Sequence, residues 1–168
     1  MCPQELSVMA WRDSLIATAR DRDVANKVIA AVETLLHEDR YLFEHRVGER
    51  SISHRLAIYV EELFGEWDVD CEYDRDGETR KVIPDGSGND DDEGSMVLPD
   101  IIVHHRGPGG NYLVFELKKS SNQKPDDRDF WKLRAYCNHL GYQHGVFIRF
   151  VVDQPQPDVS RAEFVYGI

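Results

Sequence analysis

The chain reads as an α/β domain: a central mixed β-sheet of four to five strands flanked by helices, with an extra helix on the N-terminal side. Three observations predict this. Two segments with apolar residues at helical spacing come first, short β-type runs follow, and a third helical segment then leads into a strand that is apolar almost throughout. At 168 residues the chain suits a single domain, taken as 1–168, large enough to bury one core.

In RDVANKVIAAVETLLH (22–37), Val24, Val28, Val32 and Leu35 fall on one helical face, with Asp21 or Asp23 available as the N-cap. A second helix opens near Glu49. Its stripe is Ile52, Leu56, Tyr59, Val60 and Leu63, and Gly65 follows as a stop. EWDVDCEY then alternates, Trp67, Val69, Cys71 and Tyr73 opposing Asp68, Asp70 and Glu72, as in a half-buried strand. VLPDIIVHHRGPGGNYLVFELKKS (97–120) is two strands joined by a glycine turn. DRDFWKLRAYCNHLG returns to helical spacing, with Phe130, Leu133, Cys137 and Leu140 inward. HGVFIRFVV (144–152) is apolar enough to be an interior strand, and AEFVYGI adds a short edge strand. No internal repeat is present.

Hydrophobic residues make up 41% and charged residues 30%, the balance of a soluble globular protein. No apolar run approaches a membrane span, and the N-terminus lacks a basic segment followed by an apolar one, so no membrane partner is expected. Cys2, Cys71 and Cys137 are scattered and form no CxxC pair, which points to a reducing cytoplasm. The net charge of −11 argues against a broad basic surface that coats nucleic acid, but not against an enzyme gripping a backbone locally. About a quarter of the acidic residues lie in 74–95, DRDGETRKVIPDGSGNDDDEGS, which reads as a mobile acidic loop. Its run Asp90–Glu93 lacks the ligand spacing of an EF-hand.

The two strands of 97–120 carry charge where a buried strand is normally apolar. Side chains alternate across a strand, so Asp100, Ile102 and His104 share a face, as do Tyr112, Val114, Glu116 and Lys118. Paired as a hairpin, the strands present Asp100, Glu116 and Lys118 together, with Leu117 on the opposite face. Two carboxylates held this closely repel each other, and a hard divalent cation resolves the conflict. A lysine beside it can position water and offset charge on a phosphoryl oxygen. Pro99 lacks an N–H and favours the strand end that such a site needs. The alternative is that these charges simply face water with no joint role.

Pro99-Asp100, fifteen intervening residues, then Glu116-Leu117-Lys118 resembles the signature of the PD-(D/E)xK, or restriction-endonuclease-like, nuclease superfamily. The element order from about 45 to 152 is similar to that superfamily's α-β-β-β-α-β core. The stretches ERSISHRLAIYVEELF, WDVDCEY, PDIIVHHRG and LVFELKKS are similar to a branch of small bacterial proteins within it. The resemblance implies that Asp100 and Glu116 ligate Mg²⁺ or Mn²⁺, that the Leu117 backbone carbonyl joins them, and that Glu49 completes the shell directly or through water. It further implies that Lys118 serves the attacking water. The expected activity is hydrolysis of phosphodiester bonds in nucleic acid, DNA ahead of RNA, with a homodimer as one arrangement for cutting both strands. The rival from another class is a non-catalytic nucleic-acid or protein interaction module that keeps the fold without turnover.

Other residues border this set. Lys119, Ser120, Ser121, Asn122 and Lys124 follow the second strand as a local phosphate-contact cluster or an ordinary polar loop. Asp129, Lys132 and Tyr136 form a polar stripe on the following helix, from which Lys132 could meet a phosphate or face solvent. His104 shares the face of Asp100 but reads more simply as structural, and His54 borders the site at most. There is no GxxxxGK[ST] motif and hence no NTPase motor.

Overall fold

The structure is a computed structural model that describes residues 10–45, 47–73, 75–76, 79–80, 82–83, 95–96 and 98–168. Among the described residues, four helices come first: α1 (Trp11–Thr18), α2 (Arg22–Glu38), α3 (Arg40–Glu44) and α4 (Glu49–Leu63). The strand β1 (Asp68–Cys71) is followed by four two-residue strands: β2 (Arg75–Asp76), β3 (Thr79–Arg80), β4 (Val82–Ile83) and β5 (Ser95–Met96). The rest of the chain forms β6 (Ile101–His104), β7 (Asn111–Lys119), α5 (Asp127–Leu140), β8 (His144–Val151) and β9 (Asp158–Val165).

Five strands form one mixed sheet in the order β1-β6-β7-β8-β9. β7 and β8 run parallel, joined through α5, and the other neighbours are antiparallel. The apolar run of β8 is explained by its place between β7 and β9 with both faces covered. On one face, Ile101, Val103, Leu113, Phe115, Leu117, Val146, Ile148 and Phe150 pack against α1, α2 and α4. On the other, Ile102, Val114 and Phe147 pack against Phe130, Leu133 and Tyr136 of α5. The parity expected for β7 therefore holds, and Glu116 and Lys118 project toward α5.

Local chemistry accounts for the boundaries. The Asp21 side chain accepts hydrogen bonds from the N–H groups of Asp23 and Val24, capping α2. α5 stops at Gly141, whose φ of 72° is the left-handed conformation that glycine adopts without strain. β6 begins only at Ile101, because Pro99 has no N–H to give the ladder; the Pro99 and Asp100 carbonyls instead accept from the Glu72 N–H at 3.1 and 3.3 Å.

Several details depart from expectation. α1 and α3 were not anticipated; α1 buries Trp11 and Leu15, one helical turn apart. Leu63 is exposed, and Phe64 takes its place in the core. The acidic run Asp90–Glu93 lies outside the described residues. Within the segment expected to be a loop, β2 pairs with β3 and β4 with β5, and Ile83 is fully buried in the α5-side core. Cys71 and Cys137 are free thiols, while Cys2 lies outside the described residues. Among the described residues no helix is long and apolar enough to cross a membrane.

Candidate metal and phosphate site at the end of β7

β7 is nine residues long and β6 only four, and their pairing ends at Ile101↔Phe115. The last turns of pleat in β7 therefore run past the start of β6. On this flank the Leu117 N–H donates to Asp100 Oδ2 at 2.6 Å, and the Lys119 N–H donates to Glu49 Oε1 at 3.4 Å. Glu49 comes from the first turn of α4, preceded by Gly48. Two backbone donors that a neighbouring strand would otherwise satisfy are thus taken by two carboxylates brought from separate elements. In an extended residue the N–H and C=O point to the same side, so the Leu117 carbonyl lies on the flank of Asp100.

Glu116 projects from this stretch into the layer between sheet and α5 and is 3% exposed. The Tyr136 hydroxyl donates to its Oε1 at 2.7 Å, and the Lys132 ammonium donates to its Oε2 at 2.9 Å. Burial pushes the Asp100 carboxyl up to about 8, and the charge of Glu116 adds to the rise; the Leu117 N–H and Lys132 oppose it, and Glu49 adds a smaller upward push. Burial also raises Glu116, against the pull of Lys132 and Tyr136. For Lys132, burial lowers the pKa, but the carboxylate of Glu116 outweighs it and the net direction is upward. Tyr136 is raised by burial and by the adjacent Glu116 charge, so it stays a donor.

Lys118 lies on the predicted face but its ammonium is engaged elsewhere. It donates to Asp129 Oδ2 at 2.8 Å and to the Pro125 carbonyl at 3.0 Å, and lies 3.5 Å from Asp126 Oδ1. Asp126 in turn pairs with Arg149 and Arg161. The fold thus brings Asp100, Glu116 and Glu49 into one electrostatic neighbourhood and turns Lys118 toward the start of α5. The ammonium that meets Glu116 is that of Lys132.

The polar stripe of α5 faces the sheet rather than solvent. Asp129 meets Lys118, while Lys132 and Tyr136 meet Glu116, so helix and strand run in opposite senses with matched polar positions. The sequence carried a signal for this: side chains at 129, 132 and 136 follow helical spacing, and those at 116 and 118 follow strand spacing. Tyr136, placed on a polar stripe by pattern alone, is fully buried because its hydroxyl has a buried acceptor to reach.

The proposed phosphate-contact cluster divides. The Ser120 hydroxyl accepts from the Val152 N–H at 3.0 Å, and Asn122 Oδ1 accepts from the Lys124 N–H at 3.1 Å, so both side chains close the loop after β7. Lys124 is exposed, and Lys119 donates to the Val47 carbonyl at 3.1 Å beside a cleft of about 260 Å³ that it lines with His45 and Ser121. His104 stands apart from the site. Its Nε2 lies 2.7 Å from Asp70 Oδ2, and Arg106 grips the same carboxylate at 2.7 and 3.0 Å. Burial would raise Asp70, but these hydrogen bonds outweigh it and its pKa falls. His54 is exposed and lines a hollow with Arg50 and Arg55.

In kind, the donors fit a hard divalent cation: three carboxylates, with a backbone carbonyl on the same flank. The crowding that lifts Asp100 is the conflict that a cation relieves. Among the described residues, no group of three or more His, Cys, Asp or Glu side chains is placed so as to hold a metal ion as the side chains stand. Both Glu116 oxygens, Asp100 Oδ2 and Glu49 Oε1 are instead turned to N–H, O–H and ammonium donors of the chain itself. Comparison with family models, curated proteins and solved structures returns no match.

Proposed function

We propose that the protein is a metal-dependent nuclease that hydrolyses phosphodiester bonds of nucleic acid, DNA in preference to RNA, using Mg²⁺ or Mn²⁺. The observation that carries the reading is the end of β7, where Asp100 and Glu49 converge on the strand that bears Glu116. Three carboxylates gathered from a strand lead-in, a strand and a helix N-terminus are costly to keep together for stability alone. Asp100, Glu116, Glu49 and the Leu117 carbonyl would hold the ion, which when bound would acidify water and offset charge on a phosphoryl oxygen. The water oxygen would join phosphorus as the bond from phosphorus to the leaving ester oxygen breaks; the water gives up a proton to solvent, and the departing oxygen takes one from solvent to leave as the alcohol. Tyr136 fixes the Glu116 carboxylate from the core side. Lys119 and Lys124 supply positive charge beside the strand end for the flanking backbone.

A second reading, an interaction module without turnover, is favoured by one observation. Both oxygens of Glu116 are already hydrogen-bonded, and Lys118 is held by two aspartates. A panel of end-labelled single- and double-stranded DNA and RNA, incubated with Mg²⁺, Mn²⁺ or EDTA, separates the two. Metal-dependent products support the nuclease. Nucleic-acid or protein binding without products supports the module.

A further inference from the structure

We infer that the ammonium serving the scissile phosphate comes from Lys132 on α5, and not from Lys118 on β7. This rests on the nuclease reading and deepens it, because it reassigns the cationic group of the same site.

The two lysines differ in what they can release. An ammonium has three N–H donors. Lys118 is 5% exposed and has three acceptors around it: the Asp129 carboxylate, the Pro125 carbonyl and, at 3.5 Å, the Asp126 carboxylate. Moving it toward Glu116 would take a cation away from two mostly buried aspartates, a costly rearrangement. Lys132 has a single hydrogen-bond acceptor among the described residues, Glu116 Oε2 at 2.9 Å. Its side chain is 24% exposed, so it stands at the rim where a phosphodiester can approach. Two of its N–H donors remain for a non-bridging phosphoryl oxygen or the attacking water.

Geometry also explains how Lys132 is held. Asp129, Lys132 and Tyr136 share the sheet-facing side of α5, and the burial of Tyr136 against Glu116 fixes the helix rotation that brings Lys132 over the carboxylate. Without a metal, Lys132 supplies the positive charge that the carboxylates need. A cation held by Asp100 and Glu116 would take over that charge balance, and the Lys132 donors that do not meet Glu116 would face the substrate. It keeps its proton throughout, and no bond to its nitrogen forms or breaks.

The test compares wild type, Lys132→Gln and Lys118→Gln in three measurements: cleavage kinetics on the labelled DNA with Mn²⁺, titration with Mn²⁺ alone, and thermal melting. For Lys132→Gln, kcat falls about 100-fold or more while KM stays within about threefold of wild type and Mn²⁺ binds as tightly as in wild type or more tightly. Lys118→Gln lowers the melting midpoint, and its kcat per folded molecule falls less than that of Lys132→Gln. If Lys132→Gln does not fold, Lys132→Met keeps the stem's packing without the charge and carries the same expectation. Retained kcat in the Lys132 variant overturns the inference. So does a joint loss of kcat, KM and Mn²⁺ affinity, which marks a structural ion pair, or a larger kcat loss in a stably folded Lys118→Gln. Wild type that takes up no Mn²⁺ and cuts nothing defeats the nuclease reading itself. Wild type that cuts alongside an equally active Lys132 variant defeats only this assignment.

Discussion

Replacing Asp100 with asparagine separates a crowded carboxylate from an ordinary surface charge. In the folded protein the carboxyl is pushed up to about 8, while in the unfolded chain it titrates in the ordinary range near 4. The raised folded value means that the folded state holds a proton the unfolded state has lost. The stabilisation is fully present below about pH 4 and is lost as pH rises toward 8, at up to about 1.4 kcal/mol per pH unit. Between pH 6 and 8 the metal-free wild type should therefore lose roughly 2 kcal/mol relative to Asp100→Asn, which has no proton to lose. For a chain of this size that is a divergence of about 4–8 °C in melting midpoint, the variant becoming the more stable at pH 8. Mn²⁺ at about 100 times its dissociation constant should restore roughly 2.7 kcal/mol to wild type and much less to the variant. Differential scanning calorimetry from pH 6 to 8, with and without Mn²⁺, reads all of this. Parallel midpoints for the two proteins at every pH, unmoved by metal, would refute the crowded-carboxylate argument.

Other substitutions test individual contacts. Tyr136→Phe removes the donor to Glu116 Oε1 and leaves a buried acceptor short; urea unfolding should show a loss of about 1–3 kcal/mol. Lys118→Met strips a cation from Asp126 and Asp129, and because Arg149 and Arg161 still hold Asp126, about 2–3 kcal/mol is expected by the same measurement, with no change if the pair were solvated. Ile83→Ala should cost about 2–4 kcal/mol because the side chain is fully buried, whereas deleting 85–93, which contains no large apolar residue, should shift the melting midpoint by no more than about 2 °C.

Much of this organisation could be read before any coordinates. Strand parity put Glu116 and Lys118 on one face, since alternation is local, and the glycine turn forces the hairpin that brings Asp100, just ahead of β6, beside β7. The upstream helix bearing Glu49 and the interior position of β8 followed from apolar periodicity. The destination of each charged tip was not legible. Lys118 has four methylenes of reach, and its choice of Asp126 and Asp129 over Glu116 depends on where the loop 120–126 delivers α5. Tyr136 and Lys132 read as amphipathic because helical spacing shows which residues share a side but not what that side meets. Ile83 was missed because a single buried side chain in a polar segment leaves no periodic trace. The short α1 escaped for a similar reason, with only Trp11 and Leu15 fully committed to the core.

The most direct test of the central claim is cleavage of end-labelled DNA by wild type and by Asp100→Asn, each assayed with Mn²⁺ and with EDTA. The account predicts products from wild type with Mn²⁺, and none from wild type in EDTA or from the variant under either condition. Cleavage that persists in EDTA, or equally in Asp100→Asn, would contradict it, as would intact DNA in every lane.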